Sequence, residues 1–349
     1  MARQDQSVEG GTAYQARGNL TVTNGMDAAQ MASVMLEMGK QLHVYLCEAE
    51  TKVEERLAEF RQSVMEEFSK PENSAKTDAF RDPDFQFVLS DAQKVYVRDG
   101  EQELKDHLVK LLVQRSQLDS KERTAKILNF AIEVAGSLSK NEYAALAISF
   151  LFTNVRLETK DRSALINQYS SFIAPFYADL SDNQTVYEYL EAQRCGAINH
   201  LITRELIGPL HQRYSSMISY GFDPKLLEDF SNDISTQILQ SLSIPAAGYK
   251  GYVCFKQSDP TDFASELREL GASNPTIDRV TNLHTKVTPT EHEFRETMCE
   301  EIEGFDRVLQ IWESTALSKL SLTAVGKTIA HSSLTSRSDF NAPLSIWVQ

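Results

Sequence analysis

The chain contains few of the residues that interrupt helices. Of its 349 residues, only 15 are glycine and 10 are proline, and both disfavour the interior of a helix. This scarcity is typical of a mainly α-helical protein with short connections. Hydrophobic residues make up 42% of the chain and charged residues 24%, a composition that excludes a disordered chain and suits one large or two medium domains.

The sequence also lacks the patterns of a metal centre or a disulfide framework. Its four cysteines, Cys47, Cys195, Cys254 and Cys299, are far apart and form no CxxC pair. None of its seven histidines has another histidine four residues away, and no HExxH motif is present. We therefore expect reduced cysteines, no bound metal and no cofactor.

Positive charge and long apolar runs are scarce as well. Thirty-five basic residues stand against 49 acidic ones, giving a net charge of −14, which repels nucleic acid and anionic lipid. The strongest apolar run, residues 143–152, is shorter than the ~20 residues that span a bilayer. The N-terminus has no apolar signal core. We expect a cytoplasmic protein that binds no nucleic acid and is not a constitutive membrane protein.

No motif of a known catalytic class is present. GxSxG and Rossmann glycines are missing, and Gly326-Lys327-Thr328 lacks the earlier glycine of a phosphate loop, where Ser321 stands. We instead expect Thr323 to cap a helix and Gly326 to allow close packing. The polar residues 98–100, and Asn129 with Glu133, lie beside apolar stripes and are expected to be caps or solvated helix faces.

The strongest positive signal is one apolar stripe in steps of three and four residues, which predicts a single long helix within residues 26–70. Asp27 is a possible N-cap, and Pro71 follows the helix. At 1.5 Å per residue it would be roughly 65 Å long. Such a helix is expected to pack along another helix of this chain or of a second subunit. The stripe consists of Met31, Met35, Met38, Leu42, Tyr45, Ala49, Val53, Leu57, Phe60, Val64 and Phe68.

Residues 1–25 form a separate element. Leu20 and Val22 alternate with Thr21 and Thr23, which predicts a short strand with one apolar face. A lone strand is not stable by itself. Two alternatives stay open: the strand pairs with copies of itself in an oligomer, or it docks on the chain or remains a tail. The predicted assembly residues are Leu20, Val22, Met31, Met35, Met38, Leu42, Tyr45, Val53, Leu57 and Phe60.

The remaining chain predicts a helical-hairpin body over residues 78–243 and a small α+β cap over residues 249–349. In the body, Asp82-Pro83 begins a helix that ends at Gly100, and Ser139 with Glu142 forms a capping box. Another body helix is predicted over residues 198–220. A hinge is expected near residues 241–248. In the cap, strands are predicted at 249–255 and 344–348 and one long helix at 290–314.

Several of these segments resemble an uncharacterised family of bacterial helical proteins. The resemblance is carried by residues 81–87 (RDPDFQF), 98–100, 108–115 and 138–140, by Ala92, Gln93 and Tyr96, and by the closing residues 322–326 and Trp347. It implies an association with phage-defence or mobile-element gene neighbourhoods, but no activity and no catalytic residue. Residues 18–25 (GNLTVTNG) are similar to short strand modules that mediate assembly of bacterial conflict proteins.

The sequence therefore predicts a self-associating, non-catalytic scaffold or sensor of an anti-phage defence type. Its main partner would be a second copy of itself, and a second defence protein is a further partner that this interpretation allows. Two alternatives stay open. One is a membrane-acting effector that exposes the helix at 143–155 or the methionine-rich segment 26–46 after a trigger. The other is a hydrolase with an unrecognised site.

Overall fold

The structure, a computed structural model, describes residues 28–71, 76–159, 161–246 and 250–349. It is mainly α-helical, as the sequence predicts. The helices are α1 (Ala28–Phe68), α2 (Pro83–Asp99), α3 (Gln102–Ser116), α4 (Arg123–Ala135), α5 (Lys140–Asn154), α6 (Arg162–Ile173), α7 (Gln184–Ala192), α8 (Ile207–Ile218), α9 (Thr236–Ser241), α10 (Pro260–Glu269), α11 (Asn274–Val287), α12 (Glu291–Glu301), α13 (Phe305–Ser314) and α14 (Ala324–Arg337). The strands are β1 (Gly196–Ile198), β2 (Ser243–Pro245), β3 (Val253–Phe255) and β4 (Leu320–Leu322).

The chain divides into two units, residues 1–55 and 56–349. In the first, the structure describes residues 28–55, which form the beginning of α1. The second holds the end of α1 and every later element, with β1 antiparallel to β4 and β2 antiparallel to β3. The predicted N-cap Asp27 and the predicted strand at Leu20 and Val22 lie outside the described residues.

Helix α1 is one helix of 41 residues, about 60 Å long, which confirms the long helix predicted from the stripe. Its last turns pack into an apolar core with α2, α3 and α4. Phe60 is fully buried and stacks on Tyr96 with ring centroids 5.5 Å apart. Phe68 contacts the rings of Phe80 and Phe85. The C-terminal part of the stripe is therefore intramolecular core.

The predicted caps at residues 82–142 are confirmed. The Asp82 side chain accepts a hydrogen bond from the Asp84 backbone N–H at the start of α2, and Gly100 ends that helix with φ 82°. Ser139 and Glu142 form the predicted capping box of α5. These signals depend only on neighbouring residues, which is why the sequence is sufficient to predict them.

The RDPDF segment contributes to a polar network around a buried arginine. Arg115 on α3 is 1% exposed, and its guanidinium donates to Asp84 (2.5 Å), Asn129 (2.8 Å) and Ser120 (2.9 Å). Asn129 also donates to Asp84, and Ser120 donates to Asp82. The expectation that Asn129 is a cap or part of a solvated helix face is therefore wrong. Asn129 joins α4 to α2 and α3.

The C-terminal helix lies within the body and not in a separate cap. Helix α14 packs on α3, α4 and α5, and β4 before it pairs with β1, so that Gly196 faces Leu322. Trp347 donates from Nε1 to the Asn154 carbonyl (2.8 Å) and packs against Phe150. The boundary predicted between residues 243 and 249 therefore does not separate two compact units in the structure.

Three predicted elements differ in the structure. The predicted helix at 198–220 begins only at Ile207, because residues 196–198 form β1. The predicted helix at 290–314 is divided into α12 and α13 at Gly304, whose φ of 79° is incompatible with a continuous helix. Residues 344–346 form a short 3₁₀ turn after Pro343 in place of the predicted strand.

Close packing at Gly326 yields a test of this fold. A Cβ atom at Gly326 would lie 1.8 Å from the Cys195 carbonyl oxygen, a backbone atom. We expect Gly326→Ala to lower the free energy of unfolding by about 2–4 kcal/mol, because α14 must move away from the chain before β1. Urea denaturation measures the change.

The matched control is Gly208→Ala on α8. A Cβ atom there meets the ends of two flexible side chains, Glu205 at 3.4 Å and Glu291 at 3.9 Å. This variant should be neutral or more stable by up to about 1 kcal/mol, the difference in helix propensity between alanine and glycine. Equal stability of the two variants would show that α14 does not approach Cys195 closely.

Candidate assembly surface

The N-terminal part of α1 has an exposed apolar face. We call it the α1 stripe, and it consists of Met31, Met35, Met38, Leu42, Tyr45, Ala49 and Val53. The exposed fraction of its large side chains ranges from 40% at Val53 to 66% at Met35. Val34 and Leu46, at its two edges, are exposed too. Scattered apolar side chains are normal on a protein surface, but a contiguous apolar face is typical of an interaction site.

The structure places the predicted assembly residues in three different environments. Those from Met31 to Val53 lie exposed on one helix. Leu57 is half-buried, and Phe60 is fully buried in the core. Phe60 therefore belongs to the core and is not available to another molecule. Leu20 and Val22 lie outside the described residues.

A polar network fixes α1 where its stripe enters the core. Glu59 accepts hydrogen bonds from the Tyr96 hydroxyl (2.8 Å) and from the Lys105 ammonium. Lys105 is only 5% exposed, so this carboxylate is the anionic partner of a buried cation. The bonds from Lys105 and Tyr96 lower the pKa of Glu59. Burial and the Glu59 carboxylate raise the pKa of Tyr96 to about 12.

Arg56 adds a second attachment one turn earlier. Its Nη1 donates to the Val97 carbonyl at 2.6 Å, in the last turn of α2. A Cβ atom at Gly100 would lie 2.3 Å from the Arg56 guanidinium, so the glycine that ends α2 also leaves room for this side chain. The direction of α1 at residues 56–60 is therefore set by polar contacts as well as by apolar packing.

The polar residues beside the α1 stripe are mostly acidic. Between residues 31 and 55, the chain has two lysines, Lys40 and Lys52, and five glutamates. A helix that binds anionic membranes or nucleic acid presents lysine and arginine on its polar face. The charge of this segment favours neither partner.

The titratable side chains of the described residues form no cluster of metal ligands. No group of three histidine, cysteine or acidic side chains there is placed to hold a metal ion. Burial raises the pKa of the Cys195 and Cys254 thiols to about 12, which disfavours the nucleophilic thiolate. His107 is buried, is stacked on Tyr143 and has its pKa lowered to about 4 by burial. These groups behave as core residues.

The comparisons with known proteins give a family and no activity. The model of one uncharacterised family matches residues 25–348. No curated protein and no solved structure matches the chain. Among the residues that the structure describes, no helix is both long enough and apolar enough to cross a membrane.

The network at Glu59 predicts a pH-dependent effect on stability. Glu59→Gln removes the anionic partner of Lys105 and should lower the free energy of unfolding at pH 7 by about 1 kcal/mol, a small value because the Glu59 side chain is half exposed. A carboxylate with a lowered pKa stabilises the fold above its ordinary pKa, and this contribution is lost as the pH falls through the folded-state value. The two proteins should therefore converge in acid.

Chemical denaturation between pH 3 and pH 8 measures this difference. Glu50→Gln is the control, because Glu50 is exposed on the same helix and its loss should change stability little at any pH. A destabilisation by Glu59→Gln that persists unchanged in acid would show that the carboxylate charge is not what stabilises the contact.

Proposed function

Because the chain belongs to an uncharacterised family, we propose a function from the exposed surface of α1: the protein is a self-associating scaffold or sensor whose copies pair through the α1 stripe. The observation that carries this proposal is the exposure of seven consecutive stripe positions on one helix face. A role in anti-phage defence is supported by the sequence resemblance alone.

The spacing of the α1 stripe favours a second helix as its partner. Met31, Met38 and Tyr45 are seven residues apart, as are Met35, Leu42 and Ala49. Apolar residues at two positions of a seven-residue repeat form the seam of a coiled coil. Residues 31–53 span about 33 Å of helix, which is about three heptads of possible contact.

A second copy of the chain fits this seam because it brings the same pattern. The stripe on one copy presents side chains of the size that the other copy must accommodate, and a symmetric contact of this kind is the commonest in homo-oligomers. Isolated helices of this length are marginally stable in water, and packing of an apolar face supplies most helix stability in proteins. Pairing would supply that packing to residues 31–53.

The membrane-acting alternative is less favoured by the structure. Helix α5, one of its two candidate segments, is core: Ala144, Leu146, Ile148 and Phe150 are each 0% exposed. The other candidate segment, residues 26–46, is followed by acidic residues that anionic lipid repels. Leakage of dye from liposomes by the purified protein would favour this alternative over self-association.

Leu42→Asp tests the proposed interface at its centre. In a single chain Leu42 is 58% exposed, so an aspartate there should leave the folded body intact. At a dry contact between copies, a charge costs several kcal/mol. Under conditions in which the unmodified protein has the mass of an oligomer, we expect the variant to have the mass of a single chain.

Leu36→Asp is the matched control for this variant. The chemical change is the same and Leu36 is 64% exposed, but it lies about 120° around the helix from Leu42. Native mass spectrometry of the three proteins should show an oligomer for the control and a single chain for Leu42→Asp. The same mass for all three proteins would contradict the proposed interface.

Gly39→Ala tests how closely the helices approach. In the single chain a Cβ atom at Gly39 has no atom of the described residues within 4 Å, so alanine alone should stabilise the helix by about 1 kcal/mol. In an assembly where Gly39 allows close backbone contact, the added methyl should instead destabilise the oligomer. Thermal melting at several protein concentrations measures the sign. A higher melting temperature would show that Gly39 has no part in the interface.

A further inference from the structure

A slot of about 390 Å³ lies in the unit formed by residues 56–349, along one face of α3. We call it the α3–α14 slot. Lys110 and Gln114 line it from α3, His331 and Thr335 line it from α14, and Leu344 lines it from the C-terminal segment. Its volume is in the range of small-molecule binding sites. None of its residues belongs to the α1 stripe.

His331 lines the slot, and its contacts determine which of its ring nitrogens carries the hydrogen. It is 2% exposed, and its Nε2 lies 2.7 Å from the Ala342 carbonyl oxygen. Because a carbonyl oxygen only accepts hydrogen bonds, Nε2 must carry the hydrogen. Burial lowers the pKa of His331, which favours the neutral ring. Its Nδ1 is therefore an acceptor.

This acceptor determines the orientation of the Gln114 amide. Gln114 Nε2 lies 3.5 Å from His331 Nδ1, and only the NH₂ group of the amide can donate to that nitrogen. The reverse orientation would place two acceptors against each other. Gln114 therefore keeps its Oε1 turned away from His331.

The Gln114 Oε1 atom has no hydrogen-bond partner among the described residues. It is buried and accepts no hydrogen bond from any of them. An unpaired buried acceptor is uncommon in folded proteins and costs free energy. Since Gln114 lines the slot, a bound molecule with an N–H group is able to supply the missing donor.

Lys110 supplies a positive charge one helical turn from Gln114. Its ammonium donates to the Thr335 backbone carbonyl, and it forms no ion pair with any residue that the structure describes. Glu67, the acidic residue of the lining, is paired with Lys70 at 2.6 Å. Burial lowers the pKa of Lys110, and the nearby Glu67 and Asp106 carboxylates oppose that shift. A bound anion beside Lys110 would add to their effect and favour its charged form.

We propose that the α3–α14 slot binds a small molecule that donates an N–H to Gln114 Oε1 and presents a phosphate or carboxylate to Lys110 Nζ. A mononucleotide and a dipeptide both combine these two groups. The shared chemistry is an N–H donor and an anion on one small molecule, recognised by two side chains that lie one turn apart on α3.

Isothermal titration calorimetry on the full chain tests the proposal with two probes, adenosine 5′-monophosphate and L-alanyl-L-alanine. Binding of the first alone identifies a nucleotide site, and binding of the second alone identifies a peptide site. Gln114→Met and Lys110→Met should each weaken binding of the active probe about ten-fold, the worth of one lost hydrogen bond in a buried site. Lys126→Met, at an exposed position of α4, should bind normally.

A second measurement separates a binding role for Gln114 from a structural one. Gln114→Met removes an unpaired buried acceptor and a long hydrogen bond to His331, 3.5 Å between the two nitrogens. The melting temperature without probe should therefore stay the same or rise. A structural role would lower it. The proposal is overturned if neither probe binds at millimolar concentration, or if Gln114→Met binds the active probe as tightly as the unmodified protein.

Discussion

The apolar face of α1 is the constraint on which the rest of the structure depends. One periodic pattern of side chains continues along the whole helix, yet its two parts have different environments. Phe60, Val64 and Phe68 are buried against α2 and its neighbours, whereas Met31 to Val53 are exposed. The hydrophobic effect acts on both parts alike. The buried part explains how the helix is held, and the exposed part motivates the proposed pairing of copies.

Buried polar contacts give this packing its direction. Apolar surfaces alone allow helices to slide or rotate, whereas Arg115 bonds simultaneously to groups from α2, α4 and the segment between α3 and α4. Glu59 does the same for α1 through Tyr96 and Lys105. Since a buried cation without its partners is costly, each network restricts the helices to one arrangement. The end of α1 is therefore a fixed attachment.

Local signals made much of the fold predictable from the sequence. Asp82, Gly100 and the Ser139–Glu142 capping box act within a few residues, and the structure confirms them. The failures depend on distant contacts, as at residues 344–346, where Trp347 packs on Phe150 and a turn replaces the predicted strand. The sequence is sufficient to predict the apolar stripe of α1. The change from exposed to buried side chains between Val53 and Phe60 is not predictable in this way, because it depends on where α2 lies. The α3–α14 slot joins Gln114 to His331, 217 positions apart, and no sequence spacing signals it.

A distance between two copies tests the central claim most directly. Cys47 is exposed on α1, while Cys195 and Cys254 are buried, so a spin label attached after Cys299→Ser replacement reports on α1. If two stripes face each other, pulsed electron paramagnetic resonance should give a label-to-label distance within about 40 Å, because paired helix axes lie 8–10 Å apart. Absence of any dipolar coupling at concentrations where the chain is fully folded would contradict pairing through α1.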